Sequence, residues 1–223
     1  MSQVGSVTRL GRAVHAEIVQ KTGAVDAGRW VVVVPLKQLV AAKSRLAVGH
    51  RTELVLAMAA DVVAAATAAA GVAEVAVVSR DPRAGELGVA VLDDPATSLQ
   101  GALRHALGGL GDRAVAVLPA DLPALRPEEL GAALALARQQ PTAFVADTAG
   151  TGTTLLAGAA SLLRPEYGAG SRVRHAAVAT DLTAALDAPG LRQDVDTVAD
   201  LVAAVALGVG VRTGAALARS RPA

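Results

Sequence analysis

Trp30-Val31-Val32-Val33-Val34, running directly into Pro35-Leu36-Lys37, decides the architecture of this chain. An apolar, largely β-branched run without polar alternation marks a strand covered on both faces, because a half-exposed strand would alternate. Cover on both faces needs helices, and the flanking sequence supplies them. Further strands are expected at residues 74–79, 89–92, 114–118, 142–146 and 153–157, with helices at 51–70, 98–107, 127–139 and 198–207. This alternation predicts an α/β, three-layer sandwich with a mostly parallel sheet. Helix starts carry local signals as well: Pro127 with Glu128 and Glu129 suits a first turn, and Thr197 followed by Asp200 suits a capping box.

Composition narrows the chemistry. Hydrophobic residues make up 52% of the 223 positions and charged residues 18%, enough for one buried core. Residues 1–29 mix Gly, Ser, Thr, Gln and charges without period and read as a flexible N-terminal tail. Residues 30–212 read as a single domain and 213–223 as a C-terminal tail. The balance of 21 basic against 20 acidic side chains is too even for a phosphate-tracking surface, and one Trp, one Tyr and one Phe leave little for bases to stack on. Nucleic acid is therefore not an expected partner. No apolar run reaches the roughly 18 residues a membrane span needs, so no membrane contact is expected and the chain reads as cytoplasmic. With no cysteine and four scattered histidines, any metal is expected to be a hard cation on oxygen ligands.

In sheets of this kind ligands bind beyond the carboxyl ends of strands, where strand order reverses. Four clusters fall at such places. Lys37, Lys43, Ser44 and Arg45 follow the first strand and put three cations and a hydroxyl where phosphates could sit, though a solvated loop would look the same. No Walker loop and no G-x-G-x-x-G occurs at the first strand. Leu118-Pro119-Ala120-Asp121-Leu122-Pro123 holds an aspartate between two prolines at a strand tip, a restrained position suited to a metal ligand. Gln193-Asp194-Val195-Asp196-Thr197, if extended, projects both aspartates from one face, where a cation between them would relieve their repulsion. Gly150-Thr151-Gly152-Thr153 and Tyr167-Gly168-Ala169-Gly170-Ser171 are glycine-rich turns whose N–H groups could cradle an anion, with a helix starting at Ser171.

Taken in order, V-P-L-K-x5-K-S-R-L, L-P-A-D-L-P, G-T-G-T, Y-G-x-G-S and D-V-D-T resemble the family of 2-phospholactate or phosphoenolpyruvate guanylyltransferases of deazaflavin coenzyme F-420 biosynthesis. The likeness runs from about Trp30 to Gly208. It implies a Rossmann-like nucleotidyltransferase fold akin to the A-type glycosyltransferases, with GTP and a small phosphorylated carboxylic acid as substrates and Mg2+ as cofactor. Handover of an unstable product to the next pathway enzyme is a further implied partnership. By the resemblance, Asp121, Asp194 and Asp196 are the metal-binding and catalytic carboxylates, and Lys37 is both catalytic and substrate-binding. Thr153, Gly168 and Ser171 hold the acid, while Lys43 and Arg45 lie in the nucleotide-phosphate stretch. Gln100 occupies a nucleotide-binding position where the family is expected to carry asparagine.

The implied reaction suits these residue types. A phosphate dianion is already a nucleophile, so positioning and charge neutralisation suffice and no cysteine or G-x-S-x-G serine is needed. Phosphoenolpyruvate is the favoured acceptor, with 2-phospholactate and 3-phosphoglycerate as alternatives. Another nucleotidyltransferase acting on a sugar phosphate or a molybdopterin is the runner-up, but those families open with a glycine-rich loop instead of P-L-K-x5-K-S-R. A non-catalytic nucleotide-binding protein would have no need to keep three aspartates.

Overall fold

The computed structural model describes residues 29–36, 51–95 and 98–219, with only the backbone of Arg51. The expected N-terminal tail falls outside these residues. Seven strands form one sheet: β1 (Trp30–Pro35), β2 (Val72–Val78), β3 (Ala90–Leu92), β4 (Ala114–Val117), β5 (Thr142–Ala146), β6 (Thr153–Ala159) and β7 (Thr180–Asp181). Their order is β3-β2-β1-β4-β6-β5-β7. All neighbouring pairs are parallel except those made by β6, which runs antiparallel to β4 and β5.

The helices are α1 (Arg51–Ala68), α2 (Leu99–Gly108), α3 (Pro127–Ala137), α4 (Ser171–Ala176), α5 (Pro189–Arg192), α6 (Val198–Leu207) and α7 (Val211–Arg219). Strand alternation splits the core into two layers. Val32 and Val34 pack with α1, α3 and residues of α6 and α7, whereas Val31 and Val33 pack with α2, Leu163 and Tyr167. Every valine of β1 is therefore buried, each contributing roughly 1.5–3 kcal/mol of transfer free energy, which is why this strand lacks polar alternation. Phe144 lies fully buried on β5.

From β1 the chain proceeds through α1 to β2 and β3 on one side, then returns through α2 to β4 on the other. The β1–β4 boundary is thus the point of reversal, and both strands end on the same edge because they are parallel. Ser79 Oγ donates to the Leu36 carbonyl at 2.8 Å and fixes the exit from β1.

The C-terminal tail expected from residue 213 is instead a helix. Asp61 of α1 accepts the N–H groups of Arg212 (3.1 Å) and Thr213 (2.8 Å), capping α7 from a distant part of the chain. Gly210 makes room for that carboxylate, since a Cβ there would overlap it. Thr213 and Ala216 are buried, so the folded body runs past residue 212. No local cap in the sequence announces this helix, because the carboxylate that caps it lies in another element. Among the described residues no helix is long and apolar enough to cross a membrane.

Candidate active site

β4 ends at Val117, but its ladder persists one residue further through Leu118 N–H to the Val33 carbonyl at 3.0 Å. Leu122 is fully buried and Pro123 accepts the Gly210 N–H at 2.8 Å, so the Pro119–Pro123 segment is pinned on both sides of Asp121. Asp121 is half-buried, with its Oδ1 shielded from solvent.

The segment carrying Asp194 and Asp196 docks here. Val195 is fully buried and its N–H donates to the Asp121 carbonyl at 3.0 Å. The segment is not a strand, yet the alternation expected of one survives: Val195 points inward, Asp194 is half-buried and Asp196 exposed. Two anchors hold it. Upstream, the Arg192 guanidinium donates to the carbonyls of Ala146 (3.2 Å) and Asp147 (3.1 Å) at the end of β5. Downstream, the Thr197–Asp200 capping box forms as the sequence suggests, and Asp200 also accepts the Asp196 N–H at 3.1 Å. Asp194 and Asp196 therefore flank Val195, whose N–H is hydrogen-bonded to the Asp121 carbonyl.

Chemically this donor set is right for Mg2+: carboxylate oxygens at a strand tip, one of them shielded. Among the described residues no three acidic or histidine groups close around a single point to make a metal cage. Mg2+ does not require one, since it commonly takes one or two carboxylates and completes its octahedron with water and substrate phosphates. The residues fit a site shared between protein and nucleotide.

On the opposite face of β4, Tyr167 is buried and its hydroxyl donates to the Val117 carbonyl at 3.1 Å. Burial raises its pKa and keeps the phenol protonated. Gln100, near the start of α2, donates from Nε2 to the Tyr167 carbonyl at 2.7 Å. The Gly168–Ser171 turn is thereby tied to the strand that presents Asp121. Gly168 has φ +108° and Gly170 φ +71°, with open space where a Gly168 side chain would stand. Arg174 gathers the carbonyls of Glu166, Gly168 and Ala169.

Thr153 and Ser171 meet directly, and a residue that the sequence reading passed over, His175, joins them at Thr153. His175 Nδ1 lies 2.8 Å from Thr153 Oγ1, and Ser171 Oγ lies 3.3 Å from the same oxygen. The backbone N–H of Glu166 donates to His175 Nε2 at 3.0 Å. Burial, helped by the Arg174 charge, lowers the His175 pKa to about 4, so it is neutral near pH 7. The signal was available: His175 lies four residues after Ser171 on the same helix, hence on the same face.

The Gly150–Thr153 turn differs from expectation. Its Thr151 and Gly152 N–H groups are both taken, at 2.8 Å each, by the buried carboxylate of Asp147. The turn does cradle an anion, but the anion is its own side chain. Lys37, Lys43 and Arg45, expected to hold the phosphates and the acid, lie outside the described residues.

Residues 30–219 match the family described as "Guanylyl transferase CofC like". A phosphoenolpyruvate guanylyltransferase of Streptomyces avermitilis is 51% identical over 205 residues, covering 86% of this chain and 95% of that protein. Its namesake in Geodermatophilus obscurus is 50% identical, covering 84% and 94%, and that of Mycolicibacterium smegmatis 41%, covering 87% and 93%. Among solved structures, a putative nucleotide-diphospho-sugar transferase from Desulfovibrio desulfuricans superposes with TM-score 0.58 at 16% identity, covering 77% of this chain and 84% of that one. A 4-diphosphocytidyl-2C-methyl-D-erythritol synthase gives 0.57 at 16%, covering 80% and 98%. The fold is that of the nucleotide-diphospho-sugar transferase type of nucleotidyltransferase.

Proposed function

The chain belongs to the CofC-like guanylyl transferase family, and from that premise we propose that it transfers GMP from GTP to the phosphate of phosphoenolpyruvate, the acceptor named in its relatives, within coenzyme F-420 biosynthesis. An oxygen of the acid's phosphate attacks the α-phosphorus of GTP. The new P–O bond forms as the bond to the β-phosphate bridging oxygen breaks, and pyrophosphate leaves with the electron pair. The attacking dianion carries no proton that must be removed, so the protein's work is to hold two anions in line and offset their charge.

The observation that carries this reading is the Val195 to Asp121 hydrogen bond, which sets two aspartate motifs side by side at the point of strand reversal. Asp121, Asp194 and Asp196 would hold Mg2+, which when bound neutralises phosphate charge and orients the leaving group. The Gly168–Ser171 turn, tied to β4 by Tyr167, would receive the acid next to that corner. Lys37 is assigned to both phosphates, and Lys43 and Arg45 to the nucleotide, on the motif alone.

The test is incubation of the full chain with GTP, Mg2+ and phosphoenolpyruvate, 2-phospholactate or 3-phosphoglycerate in turn, following pyrophosphate and product mass. Phosphoenolpyruvate should react fastest. Asp121→Asn and Asp194→Asn should each lower turnover about a hundredfold or more while the fold persists, the scale of losing one electrostatic stabiliser. No pyrophosphate with any of the acids, or full activity in both variants, would refute the assignment.

A further inference from the structure

Resting on the acid-binding reading of the Gly168–Ser171 turn, we infer that His175 is a positioning residue that commits the Thr153–Ser171 hydroxyl pair to donate, and so makes the pocket select an anion. The argument is a count of protons. A backbone N–H can only donate, so the Glu166 N–H fixes His175 Nε2 as an acceptor. A neutral imidazole with an accepting Nε2 carries its proton on Nδ1, and that proton points at Thr153 Oγ1.

Thr153 Oγ1 therefore receives a proton from His175 and has its own to give. Thr153 and Ser171 together hold two hydroxyl protons, and their mutual contact uses one. At least one remains, and no acceptor among the described residues takes it. Were Nδ1 the acceptor instead, it would absorb that proton and leave lone pairs facing the ligand, which an acid would avoid. Neutrality of the ring near pH 7 is consistent with this arrangement, since an imidazolium could not accept from Glu166. Phe144 and Tyr167 flank the ring with centroids at 6.2 and 5.3 Å and keep water from competing for it.

Two measurements test the inference on the full chain. Long-range proton–nitrogen NMR of imidazole-labelled protein near pH 7.5 should show His175 neutral with the proton on Nδ1; a proton on Nε2, or on both nitrogens, would overturn the inference. Steady-state kinetics should show His175→Leu raising the apparent KM for the acid about tenfold or more, as expected for loss of a hydrogen bond to a charged group, with the KM for GTP within about twofold. His175→Asn, which can keep an N–H near the Nδ1 position, should recover most of the acid KM. An equal loss for both substrates, no loss in His175→Leu, or a loss in His175→Asn as large as in His175→Leu would each overturn it. Should His175→Leu fail to fold, Thr153→Val takes its place, and an unchanged acid KM there overturns the inference as well. Absence of pyrophosphate release by the unmodified protein would overturn the functional reading, and with it the substrate side of this inference, while the NMR result would still report the tautomer.

Discussion

The two glycine-rich turns that flank the candidate site have nearly the same composition and opposite states. Gly150-Thr151-Gly152-Thr153 closes on Asp147, whose carboxylate fills the space between its N–H groups. In Tyr167-Gly168-Ala169-Gly170-Ser171 the carbonyls of Gly168 and Ala169 go to Arg174 and the space at Gly168 stands open. A turn of this kind can thus be a finished piece of structure or an unfinished one. What separates them is where the upstream carboxylate goes: Asp147, three residues before the first turn, accepts that turn's N–H groups, whereas Glu166, next to the second, faces Arg174. The first turn then joins β5 to β6 as a closed unit, and in the proposed function the second is the one that would receive the acid.

The comparison breaks hardest at Gly152. A Cβ there would overlap Asp147 Oδ2 and drive the carboxylate off two N–H donors inside a buried site. Hydrogen bonds to a charged group contribute about 1.5–3 kcal/mol each, so Gly152→Ala should destabilise by about 3 kcal/mol or more. Urea unfolding would show this as a lowered midpoint at unchanged slope. A loss below about 1 kcal/mol would mean that the first turn is not held by its own carboxylate.

Acid should loosen the second turn through His175. The unfolded imidazole titrates near 6.5 and the folded one near 4, so the unfolded chain takes up its proton first. Stability from this group is complete above about pH 6.5 and is lost as pH falls towards 4, with a deficit of about 2.5 kcal/mol at pH 4.5. Carboxylates titrate in the same range, so the informative quantity is the difference between the native protein and His175→Asn. The native protein should lose about that much more between pH 7.5 and 4.5. Parallel curves would show that burial of the ring does not set its protonation.

Much of the fold was legible because β1 and β4 are neighbouring strands buried on both faces, where apolar runs have one reading. The aspartates were legible because proline flanks and alternation are local signals. Their meeting was not: the bond from Val195 to Asp121 joins remote segments, and only the tertiary fold creates it. The same holds for α7, capped by Asp61, and for Asp147, an acidic residue whose service to the next turn depends on burial. His175 was readable in principle from its spacing to Ser171, but a lone histidine at helical spacing is ordinarily core, and its tautomer depends on a backbone N–H nine residues upstream.

Gly168 gives the smallest stability effect and the sharpest contrast. Its φ of +108° is disfavoured for any residue with a Cβ, at roughly 1 kcal/mol, but nothing lies within 4 Å of where that Cβ would go. Gly168→Ala should therefore cost about a third as much as Gly152→Ala in urea unfolding, because only backbone strain is added and no buried group is displaced. Function should invert that order. A methyl group on the open side of the second turn stands where the acid would approach the backbone, so the acid KM should rise several-fold in Gly168→Ala with GTP unaffected. Gly152→Ala, assayed well below its melting temperature, should move both substrates alike or neither. If Gly168→Ala instead destabilises as much as Gly152→Ala and leaves acid binding untouched, the open space at the second turn is a packing feature, and the two turns differ only in which internal group completes them.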